Sequence, residues 1–205
     1  MTLWAIVPVK PLRRGKSRLS TVLTEEERTA LNSHLLVNSL NILSSVDEIE
    51  TILVVSRDPA ALTIAREHHA RTVLEDGNPE LNTALRRASV VAQAYSANEV
   101  MVIPADLPLI TKEDILAFLK KAGEPPEVII APDRRKDGTN ALYINPTGLI
   151  EFSYGPGSFE KHLQLARQCN ARISIVEEFS FGLDLDLPED LELLKSIRNI
   201  EDWRI

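Results

Sequence analysis

The sequence predicts an α/β protein whose mostly parallel sheet is covered by helices on both faces, and three observations lead there. Short apolar runs alternate along the chain with amphipathic stretches of ordinary helix length. The runs are continuous and rich in branched residues, with no in–out alternation, as in strands buried on both faces. No repeat, low-complexity tract or long linker divides the 205 residues, which suit one domain, residues 1–205, around one sizeable core.

Residues 3–9 read as the first buried strand, closed by Pro8 and Pro11. A loop with five cations follows: Lys10, Arg13, Arg14, Lys16 and Arg18. Thr24-Glu25-Glu26-Glu27 has capping-box spacing and opens a long helix whose Leu31, Leu35, Leu36, Leu40 and Leu43 keep to one face. Residues 52–55 form the second strand, and Asp58 caps a helix with Pro59 at its first position, ending near His68 and His69. A third strand covers 72–74, a polar turn covers 75–78, and 79–97 is helical. The fourth strand, 100–104, runs into Asp106, and Thr111 caps a helix to about residue 123. Residues 128–131 are a fifth strand, followed by a charged loop, 133–139, and a strand-like stretch at 141–144. Ser158 caps a helix to about residue 169, a late strand covers 173–176, and 188–198 is the last helix.

At 44% apolar and 26% charged residues, the composition is that of an ordinary soluble protein. A net charge of −7 argues against non-specific nucleic-acid binding but leaves room for a small anion at the concentrated positive loop. No apolar run approaches a membrane span, and the chain enters its first strand with no basic leader, so a cytoplasmic location is expected. Cys169 is the only cysteine, which rules out an intrachain disulfide; a buried or half-buried thiol is expected.

Ligands of open α/β sheets sit at the carboxyl ends of the strands, and the polar insertions of this chain fall there. The basic loop is either a solvated turn or a phosphate site. It follows a buried strand in an acidic protein and mixes Gly15 and Ser17 with its cations, although it lacks P-loop spacing. Asp106 is either a turn residue or a carboxylate placed at a strand end. Asp184 and Asp186 alternate, so both carboxylates point the same way if the segment is a strand; Asp186 also suits a cap ahead of Pro188. Three converging aspartates suit Mg²⁺, a hard cation. The Gly155-Pro156-Gly157-Ser158 turn into a helix reads as an ordinary cap or an anion site, and Arg134, Arg135 and Lys136 face either an anion or water. His34, His68, His69 and His162 lack metal-ligand spacing, and no nucleophilic triad is visible.

Six collinear motifs carry a family resemblance. They are Pro8-Val9-Lys10 with Lys16-Ser17-Arg18-Leu19; Leu81-Asn82-x-Ala84-Leu85; Ala105-Asp106-Leu107-Pro108-Leu109; Gly138-Thr139-Asn140-Ala141-Leu142; Gly155-Pro156-Gly157-Ser158 with His162; and Asp184-Leu185-Asp186-x-Pro188-Glu189-Asp190-Leu191. Together they resemble the guanylyltransferases of coenzyme F-420 biosynthesis, which act on phosphoenolpyruvate or 2-phospholactate. The resemblance implies a single-domain, Rossmann-like nucleotidyltransferase fold. It implies transfer of GMP from GTP to a phosphorylated three-carbon acid, with release of pyrophosphate. Lys16, Arg18 and Asp106 would be catalytic; Pro8, Lys10, Lys16, Arg18, Asp76 and Asn82 would bind the nucleotide. Thr139, Gly155 and Ser158 would bind the acid, and Asp106, Asp184 and Asp186 would hold Mg²⁺.

Glu80 departs from the family's glycine before Leu-Asn, so the nucleotide loop is expected to differ locally. The Gly-Pro-Gly-Ser turn is more like that of bacterial members, which tilts the acid toward phosphoenolpyruvate. A molybdopterin- or sugar-phosphate-type nucleotidyltransferase is disfavoured by the single glycine of the basic loop. A non-catalytic nucleotide-binding module is disfavoured by the presence of all three aspartates. Trp203 and Ile205 are apolar positions that would suit a homodimer contact.

Overall fold

The computed structural model describes residues 2–77 and 80–197. Its seven strands form one sheet in the order β3-β2-β1-β4-β6-β5-β7. Central β1 (Leu3–Val9) pairs in parallel with β2 (Ile49–Ser56) and β4 (Glu99–Val102), and β2 pairs in parallel with β3 (Arg71–Leu74). β5 (Glu127–Pro132) and edge strand β7 (Arg172–Ile175) are also parallel. Among the described residues only β6 (Thr139–Asn145) runs antiparallel to its neighbours, β4 and β5. The connection of residues 133–138 between β5 and β6 is too short for a crossover and dictates a hairpin. That reversal matters for the site. It brings the first residue of β6, Thr139, to the edge where the parallel strands end.

Each face carries its own core. Leu3, Ala5 and Val7 of β1 point to one side, against α1 (Glu25–Ser44), α2 (Pro59–Glu67) and α4 (Lys112–Leu119). Trp4 and Ile6 point to the other, against α3 (Leu81–Ala94) and α5 (Ser158–Gln168). A third, smaller cluster joins Leu19, Leu31 and Leu35 to Leu185, Leu191 and Leu194. It packs the 3-10 turn Ser17–Thr21 and α1 against α7 (Pro188–Ile197), and thereby brings the basic loop and the late acidic segment together. Leu19, Leu31, Leu185 and Leu194 are fully buried, each burial being worth about 1.5–3 kcal/mol.

Local chemistry sets the helix starts. Thr24 Oγ1 accepts from Glu27 N–H while Glu27 accepts from Thr24 N–H, and Thr111 with Asp114 repeats the device. The Asp58 carboxylate caps α2 through Ala60 N–H and also accepts from Leu12 N–H, tethering the basic loop. Glu80 caps α3, accepting from Asn82 and Thr83 N–H, so this departure from the family pattern serves the helix.

Several boundaries move. α3 is Leu81–Ala94 rather than 79–97, and α4 stops at Leu119, beyond which Gly123 N–H turns to the buried Glu127 carboxylate. Residues 184–186 are not a strand; they follow a short, unanticipated helix, α6 (Phe179–Gly182). Ser158 is the first residue of α5 and not its cap, a position taken by Gly157 with φ 68°. Cys169 is exposed rather than buried, because it sits past the end of α5, with Sγ 3.3 Å from the Leu149 carbonyl oxygen. Trp203 and Ile205, the suggested dimer contact, lie outside the described residues, as does Arg198. No helix among the described residues is long and apolar enough to cross a membrane.

Candidate active site

A cleft of about 510 Å³ opens over the carboxyl ends of β1, β2, β3 and β4 and the start of β6. Its cationic side comes from the loop after β1. Pro11 carbonyl accepts from Arg14 and Gly15 N–H, closing a tight turn, and Asn32 Nδ2 holds Leu12 carbonyl at 2.6 Å. Gly15 lies so close to Asn32 that a Cβ would come within 2.7 Å of Nδ2. Lys16 then takes a left-handed conformation, φ 56°, which turns its side chain inward to 5% exposure. Its Nζ lies 2.8 Å from Asp106 Oδ2 and 3.9 Å from Asp186 Oδ1. Lys10 also lines the cleft. Arg18 reaches Asp186 Oδ2 at 2.9 Å from the outer, exposed side, while Arg13 pairs with Glu25 on the surface.

The acidic side meets it. Leu185 N–H donates to Asp106 carbonyl at 3.0 Å, tying the two acidic stretches together, and buried Leu185 fixes which way its neighbours face. Burial alone would raise the pKa of Asp106; the charge and hydrogen bond of Lys16, helped by Lys10, more than offset that and hold it below the usual carboxylate value. Asp184 goes the other way. Burial pushes it up, the Asp106 charge adds to the rise, and a long Asn140 contact of 3.5 Å offsets only part. Asp186 does not cap α7. Asp190, fully buried, does that work, accepting from Asp186 N–H at 3.1 Å and Leu187 N–H at 2.7 Å, with Arg134 neutralising it at 2.5 Å.

Arg134, Arg135 and Lys136 pair with Asp190, Glu189 and Glu177, and none of the three lines the cleft. Among the described residues no group of three His, Cys, Asp or Glu side chains is arranged to hold a metal ion by itself. The hard oxygen donors of Asp106 and Asp184, with mutual repulsion that keeps one of them high, nonetheless fit Mg²⁺. That ion is usually held by one or two carboxylates plus substrate phosphates.

Beyond the carboxylates lies Thr139, lining the cleft from the start of β6. Its Oγ1 is 2.9 Å from His162 Nδ1 and 3.4 Å from Ser158 Oγ. Gly155, with φ 120°, and Gly157 shape the turn into α5, but neither Gly155 nor Ser158 lines the cleft directly. The Asp137 carboxylate accepts from Gly157 N–H and its carbonyl from Phe159 N–H. Asn82 also stands behind the wall, clamping the Tyr154 backbone by donating to its carbonyl at 3.2 Å and accepting from its N–H at 2.7 Å.

At the opposite end Pro8, Val55, Leu81 and Ala84 make an apolar slot with three charged residues, Arg57, Glu75 and Glu80, the last with its carboxylate committed to capping α3. The Glu75 carboxylate lies 3.5 Å from Arg57 Nε and accepts from Glu80 N–H. Asp76 does not line the cleft; its carboxylate folds back onto Gly77 N–H. Sequence reasoning therefore found Pro8, Lys10, Lys16, Asp106, Thr139, Asp184 and Asp186 at the cleft. It gave no role to Arg57, Asn140 or Tyr154; of the adjacent carboxylates Glu75 and Asp76 it is Glu75 that lines the cleft, and Arg18, expected at the nucleotide, does not line it.

Comparison with known proteins agrees in family and fold. The family described as guanylyl transferase CofC like matches residues 3–196. A phosphoenolpyruvate guanylyltransferase of Rubrobacter xylanophilus is 41% identical over 98% of this chain and 97% of its own length. A 2-phospho-L-lactate guanylyltransferase of Methanocaldococcus jannaschii is 38% identical over 91% of this chain and 79% of its own. Among solved structures, a nucleotidyl transferase from Methanothermobacter thermautotroptrophicus superposes with a TM-score of 0.68 over 96% of this chain and 97% of that one. At 13% identity, that likeness speaks to the fold alone.

Proposed function

Because the chain belongs to the guanylyl transferase CofC-like family, we propose that it transfers GMP from GTP to the phosphate of phosphoenolpyruvate. The products are enolpyruvyl-diphospho-5′-guanosine and pyrophosphate, in the manner of coenzyme F-420 biosynthesis. The observation that carries this reading is one continuous cleft with an apolar slot, a Lys16–Asp106–Asp184 centre and a hydroxyl at Thr139 beyond it.

The acceptor phosphate is already ionised, so no general base is needed. Its oxygen forms the new bond to the α-phosphorus of GTP while the bond from that phosphorus to the bridging oxygen breaks. Pyrophosphate leaves with the electron pair. Catalysis reduces to alignment and charge neutralisation. Lys10, Lys16 and Arg18 hold the triphosphate and the departing pyrophosphate. Asp106 and Asp184 would hold Mg²⁺, whose charge screens the two approaching anions, while Asp186 beside them is engaged by Lys16 and Arg18 in the free protein. Thr139, Gly155 and Ser158 serve the acceptor phosphate, Ser158 acting through its contact with Thr139. Asn82 contributes by holding Tyr154.

The apolar slot beside Pro8 suits a purine, with Glu75 accepting from guanine N1–H and N2–H and Arg57 donating to O6 and N7. Adenine presents an acceptor at N1 and a donor at the sixth position, the wrong pattern for both. Glu75→Gln is therefore expected to lower kcat/KM for GTP by about 10–100-fold and to narrow the preference for GTP over ATP. Steady-state kinetics with each nucleotide checks this; equal losses with both would remove Glu75 from the base.

The overall reading is tested by pyrophosphate release from GTP with phosphoenolpyruvate, 2-phospho-L-lactate or 3-phosphoglycerate, followed by pyrophosphatase-coupled phosphate detection. Turnover is expected with phosphoenolpyruvate, and silence with all three acids overturns the assignment.

A further inference from the structure

His162 is the one fully buried histidine side chain among the described residues, and it sits behind the acceptor wall rather than on it. Its Nε2 lies 3.0 Å from Ser153 N–H. A backbone N–H can only donate, so Nε2 must be bare and the single ring proton must be on Nδ1. From there it donates to Thr139 Oγ1 at 2.9 Å. Ser158 Oγ stands 3.4 Å from the same oxygen. One lone pair of Thr139 is then occupied from behind by the ring N–H at 2.9 Å, so its own proton points away from His162. Because Thr139 lines the cleft, that proton is available to a ligand there.

We propose that His162 is a positioning residue that fixes the Thr139 hydroxyl as a donor to the phosphate of the acceptor acid. The inference rests on the reading of Thr139 as an acceptor-phosphate group. A free threonine hydroxyl would rotate and accept as readily as donate. Held in this way it favours anions and disfavours water or a donor group in the same place. Tyr154 packs edge-on against the imidazole with centroids 4.9 Å apart, and this limits tilting of the ring away from Thr139. Burial, with a smaller contribution from Lys161, lowers the pKa of His162 to about 4, so the neutral ring with its single proton persists through the neutral range. The ring also ties β6 to the segment leading into α5, so the two walls of the acceptor site share one hinge pin.

The test combines one spectroscopic reading with a mutant cycle. In the unsubstituted protein, nitrogen NMR of His162 is expected to show the Nδ1–H tautomer; an Nε2–H tautomer overturns the proposal without any variant. His162→Gln keeps an acceptor near Ser153 and removes the donor to Thr139. It is expected to raise KM for phosphoenolpyruvate about tenfold, the loss of one oriented hydrogen bond, with KM for GTP unchanged. His162→Asn, which returns an N–H near the Nδ1 position, is expected to recover most of that loss. In a Thr139→Val background His162→Gln is expected to add nothing further. If Thr139→Val leaves the acid KM unchanged, the reading of Thr139 fails and this inference with it. If Thr139→Val raises the acid KM but His162→Gln does not, Thr139 keeps its role and the positioning by His162 is refuted. Additive effects, or equal rises in both KM values, assign His162 to packing alone and refute the positioning as well.

Discussion

Lys16→Met is expected to lower kcat by about a thousandfold or more, the scale seen when a cation that stabilises phosphoryl-transfer charge is removed. Methionine keeps the length and the apolar packing of the side chain, and it bears the left-handed backbone at φ 56° no worse than lysine, since neither is glycine. What disappears is the ammonium 2.8 Å from Asp106 Oδ2 and 3.9 Å from Asp186 Oδ1. In the free protein that charge neutralises carboxylates; in the proposed complex it moves its interaction to the triphosphate. A transition-state role predicts a fall in kcat with a smaller change in KM, whereas a raised KM at constant kcat would reduce Lys16 to ground-state binding.

Stability should respond too, with a definite pH signature. Asp106 is held low by Lys16 against burial, so in the wild type it contributes stability at neutral pH that is lost as pH falls through its depressed pKa. Without Lys16 the burial effect is opposed only by Lys10 and a backbone hydrogen bond. The variant should be less stable at pH 7 by about 1–2 kcal/mol, a modest figure because the Asp106 side chain is 31% exposed. The deficit should shrink at acidic pH, where Asp106 of the variant protonates while the wild-type residue is still ionised. Urea unfolding at neutral and at acidic pH measures this, and a deficit independent of pH would mean that the ion pair is not its cause.

The architecture was legible because it is written in local, redundant signals. Continuous apolar runs mark strands buried on both faces, and Thr24, Asp58 and Thr111 announce helix starts through bonds that close within a few residues. The site was legible to the extent that polar residues at strand ends share one edge, which placed Lys16, Asp106 and Asp184 together. Side-chain direction was harder. Glu75 and Asp76 are adjacent carboxylates, and a one-residue change in phase decides which of them enters the cleft. The pairing of Arg134 and Arg135 with Glu189 and Asp190 joins segments far apart in sequence, so no local pattern distinguishes those cations from anion-binding ones. The reversal of β6 was readable in principle from the short link at residues 133–138, yet its consequence, Thr139 lining the same cleft as Asp106, needs the whole sheet order. Gly155 and Ser158 carry a glycine-rich motif, but their turn serves the cleft from behind.

Asp184→Asn is expected to stabilise the free protein while lowering kcat by about a thousandfold. The two effects have one origin. Burial and the neighbouring Asp106 raise the pKa of Asp184, so its ionised form is disfavoured by the fold. For a carboxylate raised in the native state the stability deficit is full above the folded pKa and is relieved as pH falls through it. Asparagine removes the charge at every pH and keeps an oxygen for Asn140 Nδ2, now 3.5 Å from Asp184 Oδ1. A gain of about 0.5–1.5 kcal/mol at pH 7 follows, raising Tm by roughly 2–5 °C. The gain should vanish at low pH, where the wild-type residue is already neutral. Turnover suffers because the carboxylate pair that would hold Mg²⁺ loses one charge. A second readout separates that cause from damage to the fold. Mg²⁺ with GTP should raise Tm of the wild type in proportion to RT ln(1 + [L]/Kd), and the shift should largely disappear in the variant. Asp106→Asn makes the contrast. It leaves the nearly buried Lys16 ammonium with only the more distant Asp186, 3.9 Å away, as carboxylate partner, so it should lose both activity and stability. If Asp184→Asn proved less stable than the wild type at neutral pH, the Asp184 charge would have to be compensated already in the free protein. The strain between the two carboxylates would then not be what prepares this wall for a cation.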